Sequence, residues 1–221
     1  MPKINTFYHK ILDLIFPRDS IFADPGIESL KSKGVIELSK MYPELNCEHV
    51  WIASEYAVLK HWIHRFKYQH EAYLGSQLAE FLVQKLEVSQ IDTSKFQSIL
   101  FCPADPVRLR QRGYHPIGFL AEELGGCLSL QVLDVFQKTK HTKQQMSLSR
   151  VQRLQNLDGA FKIGLDADNH QKLQEAKKVL LVDDLITSGA TLGHLCRLLK
   201  KNYPWIEISI LVLARNEDEG K

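Results

Sequence analysis

Residues 179–195 read VLLVDDLITSGATLGHL, and their order decides how the rest of the chain is read. Four apolar residues, Val179 to Val182, make a buried strand that runs into two adjacent aspartates, Asp183 and Asp184. Thr187-Ser188-Gly189-Ala190-Thr191 follows, and an apolar pattern at helical spacing begins next to it. Within a strand, neighbouring side chains point to opposite faces, so one of two adjacent carboxylates would enter the core. At a strand exit both can face one ligand, and ligands of open parallel sheets gather at the carboxyl ends of the strands. Carboxylates accept hydrogen bonds from vicinal hydroxyls or hold a hard cation such as Mg2+. The turn supplies hydroxyls at Thr187, Ser188 and Thr191, and Gly189 lets the backbone approach closely. With Ala190 opening a helix, its N–H groups and dipole bind phosphate. Each half is ordinary alone, a capped strand and a capped helix. Together, acids followed by a phosphate cradle fit a ribose 5-phosphate.

Working outward, strands alternate with helices. HVWIASEY, FQSILFCP, LQVLDVF, KKVLLVDD and IEISILVLAR read as strands, and Gly159-Ala160-Phe161 begins a brief one. AVLKHWIHRFKY and YLGSQLAEFLVQKL are apolar at i, i+3, i+4 spacing and read as helices. PIGFLAEELGGCL opens on Pro116 at a first helical position and is expected to end near Gly125-Gly126. SRVQRLQN reads as a short helix, and residues 4–16 as another that Pro17 stops. Such alternation predicts an α/β fold, a mostly parallel sheet with helices on both faces. A small N-terminal helical segment is expected at residues 1–48 and the α/β core at 49–221. There is no GxxxxGK[ST] loop and no GxGxxG fingerprint. A receiver domain also ends a strand in paired acids, but there it is the first strand, and here it comes near the end.

Two segments carry local positive charge beneath a net charge of +2. Between Asp105 and Glu122 there is no acid, while Arg108, Arg110 and Arg112 are present. Between Asp134 and Asp158 there is again none, while Lys138, Lys140, Lys143, Arg150 and Arg153 crowd together. Both read as basic loops at strand ends, suited to a diphosphate. Four scattered cysteines without a CxxC pair, no signal-peptide pattern at the N-terminus and no apolar run near the roughly 20 residues of a membrane span predict a reduced, cytoplasmic protein. His61, His64 and His70 lack the neighbours of a metal site and read as a polar helix face. Trp62, Phe66 and Tyr68 read as core or lid packing.

VLLVDDLITSGATL resembles the 5-phosphoribosyl 1-diphosphate (PRPP) motif of type I phosphoribosyltransferases, and residues 49–215 are similar to the ComF/GntX family of that fold. YAVLKHWIHRFKYQHEAYLGSQLAEFL, CPADPVRLRQRGYHPIGFLAEEL and KTKHTKQQMSLSRVQRLQNLDGAF carry the likeness. The last matches at Thr142, Gln145, Leu148, Arg153, Asn156, Gly159 and Phe161. The resemblance implies that Asp183 and Asp184 hold the ribose hydroxyls as catalytic residues, with Mg2+ reached through ribose or water. It implies further that Thr187, Ser188, Gly189, Ala190 and Thr191 hold the 5-phosphate. Arg108, Arg112, Lys140 and Lys143 would serve the diphosphate, although the family usually has Arg where Lys140 stands, which keeps charge but loses bidentate geometry. Transfer would pass through an oxocarbenium-like state, to an acceptor that no residue identifies. Family members carry a cysteine-rich zinc segment after an FP pair like Phe16-Pro17. Here that stretch has no cysteine and Cys47 stands alone, so no zinc site is expected. The expected ligands are PRPP or a nucleoside monophosphate. The rival reading is a non-catalytic partner in DNA uptake (competence) or recombination that binds nucleotide or single-stranded DNA, and either leaves room for a homodimer.

Overall fold

A computed structural model describes residues 20–139 and 159–216. Its sheet has six strands: β1 (Ile36–Glu37), β2 (His49–Glu55), β3 (Ser98–Phe101), β4 (Gln131–Leu133), β7 (Lys178–Ile186) and β8 (Glu207–Arg215). Their spatial order is β1-β2-β8-β7-β3-β4, with only β1 antiparallel. A small antiparallel pair, β5 (Phe136–Lys138) and β6 (Phe161–Ile163), lies apart. The helices are α1 (Pro25–Glu28), α2 (Tyr56–Tyr68), α3 (Leu74–Val88), α4 (Pro106–Arg112), α5 (Pro116–Leu128), α6 (Ala167–Glu175) and α7 (Ala190–Asn202).

The central strands carry long apolar runs because both faces are covered. In β7 and β8, alternate residues feed opposite cores. Leu181, Ile210 and Val212 pack on one side with Leu195 and Leu199 of α7. Leu180, Val182 and Leu211 pack on the other with Phe66 of α2, Phe81 of α3 and Leu124 of α5. The segment before β2 joins the same cores, through Tyr42 and Leu45 on the first side and Ile21 and Ile27 on the second.

Three local expectations need correction, and one helix is added. LQVLDVF is two strands, because β4 pairs with β3 and then, past Asp134-Val135, β5 turns to pair with β6. The α5 helix runs through both glycines to Leu128, where Ser129 takes a left-handed turn. The arginine-rich stretch is not a loop: Asp105 caps Val107 N–H at 3.0 Å and α4 begins at Pro106. Helix α6, unforeseen in the sequence, is capped by Asp166, which accepts from Asn169 N–H at 2.8 Å. The expected helices at 4–16 and in SRVQRLQN lie outside the described residues.

Candidate functional site

Strand β7 continues past the acid pair to Ile186, so Asp183 and Asp184 are not at its end. What ends is its partner. Phe101 of β3 pairs with Val182, and Cys102 N–H still donates to Val182 carbonyl at 3.2 Å before Pro103 turns the chain away. From Asp183 onward β7 keeps β8 on one edge, where Asp183 pairs with Val212 and Ile186 with Arg215. The edge that β3 leaves is the wall of a cleft of about 670 Å³. The expectation that both acids face a ligand therefore rests on the neighbour's departure rather than on the strand's exit.

The cleft brings most of the expected residues together. Asp183, Asp184, the whole of Thr187–Thr191, Arg108 and Arg112 line it, along with Lys67, Asp105, His115 and Lys138. Lys140 and Lys143 lie outside the described residues, on the segment that the β5–β6 pair brackets.

The Thr187–Thr191 turn is built by the backbone. Gly189 has φ +72°, and Ala190 then starts α7, whose first turn has no side-chain cap. Its leading N–H groups are thus left to a ligand or to water. An unforeseen buttress holds this turn: Tyr42 hydroxyl donates to the Thr187 carbonyl at 3.1 Å. A Cβ at position 189 would stand 3.1 Å from Tyr42 Cδ1 and 3.3 Å from Leu45 Cδ2, so only glycine fits both the angle and the space.

The acid pair is asymmetric. Asp184 is buried at 5% exposure, and Lys67 Nζ lies 2.6 Å from its Oδ2. Asp183 Oδ1 accepts from the Asp184 backbone N–H at 2.9 Å and meets the Cys102 thiol. Burial, and then the charge of Asp184, push the Asp183 carboxyl up to about 7. Burial alone would lower Lys67, but the Asp184 and Asp183 charges outweigh it and hold the ammonium above its ordinary range. Burial, then the Asp183 charge, raise Cys102 far above a reactive thiol. Hence Lys67 is matched to Asp184, while the Asp183 carboxyl is held well above the usual carboxylate range. The sequence reading missed Lys67. Its only local signal was a lysine set among aromatic residues at the end of a buried helix.

The basic residues divide. Lys138, read as one of the crowded cations of a basic loop, is instead paired with the buried Asp105 at 3.0 Å, which ties β5 to the start of α4. Arg112 stacks over the Tyr68 ring at 4.6 Å and Arg108 lines the mouth with it. Tyr68 is half exposed there, whereas Trp62 and Phe66 are core residues. His115 closes the floor. Its Nε2 lies 2.9 Å from Ala104 N–H and its Nδ1 3.0 Å from Gly118 N–H. Burial lowers its pKa, so the ring is neutral at pH 7 and accepts from one of these donors at a time.

A family model described as "Phosphoribosyl transferase domain" matches residues 72–221. The chain belongs to the phosphoribosyl transferase domain family. Within it the relatives mark the ComF group, as the resemblance implied. The chain is 31% identical over 142 residues to "Competence protein F" of Haemophilus influenzae, covering 63% of this chain and 60% of that protein. It is 27% identical over 144 residues to "Competence protein ComFC" of Streptococcus pneumoniae, covering 65% and 57%. It is 25% identical over 143 residues to "DNA utilization protein YhgH" of Escherichia coli, covering 63% and 60%. The matches thus span less than two thirds of these relatives' length. No helix among the described residues is long and apolar enough to cross a membrane.

Proposed function

We propose that this phosphoribosyltransferase-fold protein binds PRPP, or a related ribose 5-phosphate compound, and transfers the phosphoribosyl group. The observation that carries this reading is the convergence, in one cleft, of the acid pair, the Thr187–Thr191 turn and the arginines of α4. The turn's N–H groups and hydroxyls would take the 5-phosphate, and Asp183 and Asp184 the ribose 2- and 3-hydroxyls. Arg108 and Arg112 would meet the diphosphate, together with Lys140 and Lys143. In the transfer, the bond from C1 to the diphosphate oxygen breaks and a bond from the acceptor to C1 forms. The chain's share is positioning and electrostatics, with carboxylate charge beside the developing cation and cations beside the departing anion.

The acid pair and the threonine hydroxyls form an all-oxygen donor set, which suits Mg2+. Among the described residues no three His, Cys, Asp or Glu converge as a metal site, and Lys67 already faces Asp184. Mg2+ would therefore be held largely by ribose and diphosphate oxygens, with the aspartates reaching it through the ribose or water. When bound, it neutralises the charge of the departing diphosphate. Calorimetric titration of PRPP and of nucleoside monophosphates, with and without Mg2+, tests the reading. Magnesium-dependent PRPP binding that survives moderate salt supports it, and absence of binding to any of these ligands refutes it.

The relatives' names, competence and DNA utilization, favour a second reading as a non-catalytic accessory in DNA uptake. The basic cleft mouth would then follow a nucleic-acid backbone, and affinity for single-stranded DNA would fall steeply with salt.

A further inference from the structure

The acid pair meets a cation from outside the PRPP-like motif. Lys67 Nζ stands 2.6 Å from Asp184 Oδ2, with the lysine side chain 18% exposed and the aspartate 7%. The placement is built from the sequence on both sides. Phe66, fully buried, anchors the last turn of α2 in the core. Arg65 Nε donates to both Glu71 carboxylate oxygens at 3.0 Å, and Tyr73 hydroxyl donates to Glu71 at 2.7 Å. That clamp spans residues 65–71, and within it His70 adopts a left-handed φ of 59°. The end of α2 is therefore tied to the turn that follows it, which fixes where the Lys67 backbone stands beside the acid pair.

Two adjacent carboxylates in a buried pocket repel an incoming phosphate dianion as well as each other. A site of that kind needs a cation before it can take a ribose phosphate. We infer that Lys67 is this cation: a positioning residue that stands at Asp184 where a divalent ion would otherwise be required, so that simple ribose 5-phosphate ligands bind without metal. The ammonium holds Asp184 toward the sugar hydroxyls and lowers the negative potential around the 5-phosphate. Magnesium is then needed for the diphosphate alone. This rests on the ribose 5-phosphate reading above and assigns the metal requirement to one half of the ligand.

The test is calorimetry with ribose 5-phosphate and with PRPP on wild type, Lys67→Met and Lys67→Arg, each in EDTA and in Mg2+, with thermal unfolding to verify the fold. Wild type should bind ribose 5-phosphate equally in both media. Lys67→Met should lose about tenfold or more in EDTA, as expected for losing a charged partner, and regain most of it in Mg2+. Lys67→Arg should restore metal-independent binding. A lysine that merely supports the fold would lower affinity equally in both media, and that result overturns the inference. So does Lys67→Met binding as tightly as wild type in EDTA. Wild type alone decides the matter if the methionine variant does not fold, since a tenfold magnesium requirement for ribose 5-phosphate refutes the role. If wild type binds neither ligand in either medium, the ribose 5-phosphate reading itself fails, which is a distinct outcome.

Discussion

Replacing Asp183 with Asn should make the protein more stable and worse at binding, with a pH dependence that identifies the cause. Asparagine keeps the shape, and its Oδ1 still accepts from the Asp184 N–H that lies 2.9 Å from Asp183 Oδ1. What it removes is a carboxyl held up at about 7, against 3.8 in an unfolded chain, by burial and by Asp184. Because the folded value is the higher one, the stability associated with Asp183 is fully present below about pH 4 and is lost as pH rises through about 7. At 1.36 kcal/mol per pH unit the ceiling is on the order of 4 kcal/mol. The side chain keeps some contact with water, which brings our expectation to about 2 kcal/mol at pH 8. For a chain of this size that raises Tm by roughly 4–8 °C. Thermal unfolding by circular dichroism, at constant ionic strength from pH 4 to pH 8, reads the gap between variant and wild type. It should be small at pH 4 and open through the window from pH 4 to 7. A gap that does not change with pH, or an asparagine variant that is the less stable one at pH 8, would refute the acid-pair electrostatics. Ribose 5-phosphate affinity should fall in the same variant.

Asp184→Asn leaves Lys67 facing a neutral amide and weakens hydrogen bonds to the ribose hydroxyls, so PRPP affinity should fall about tenfold or more by calorimetry while the fold survives. Thr191→Val should weaken ribose 5-phosphate, nucleoside monophosphates and PRPP alike, whereas the double change Lys140→Ala/Lys143→Ala should weaken PRPP selectively. Equal loss for all three ligands in the lysine variant, at fixed salt and Mg2+, would sink the separation of phosphate and diphosphate subsites. Gly189→Ala forces a side chain into a left-handed angle with Tyr42 at 3.1 Å, costing about 1–2 kcal/mol. Differential scanning fluorimetry should show Tm down by a few degrees, and calorimetry weaker phosphate binding.

What could be read in the sequence was local. Apolar runs at periods of two and 3.6 gave the strands and most helices, since both faces of this sheet are covered and β7 and β8 carry little polar interruption. The PRPP-like turn was legible because its chemistry is contiguous, from Asp183 to Thr191. Helix α6 escaped notice because ADNHQKLQE buries a single side chain, Leu173, and so has no apolar stripe to announce it. The site's supporting contacts escaped for a different reason. Tyr42 and Thr187 stand 145 positions apart, and Lys67 and Asp184 are nearly as distant. No periodicity encodes such pairs. The pairing of Lys138 with Asp105 was hidden in the same way, for a run of lysines read alone looks like uncommitted charge.

Those long-range pairs have a common consequence for how charge is distributed in the cleft. Two cations that line the cleft, Lys67 and Lys138, are matched to carboxylates in the fold, Asp184 and Asp105. Each pair is largely buried, so breaking one side would strand a charge. The cations left to meet an incoming anion on the described side are then the arginines of α4, one of which lies over Tyr68. Arginine stays charged in any such setting and grips phosphate oxygens in two-point fashion. Charge attraction in this cleft is thus concentrated at the mouth, near Arg108 and Arg112, while the interior is close to electrically balanced. A ligand with its charge spread over two ends, phosphate at the turn and diphosphate at the mouth, matches that division better than a monophosphate does. On the proposed reading the turn would provide N–H dipoles for one end, the arginines full charges for the other, and the acid pair would accept the uncharged sugar between them.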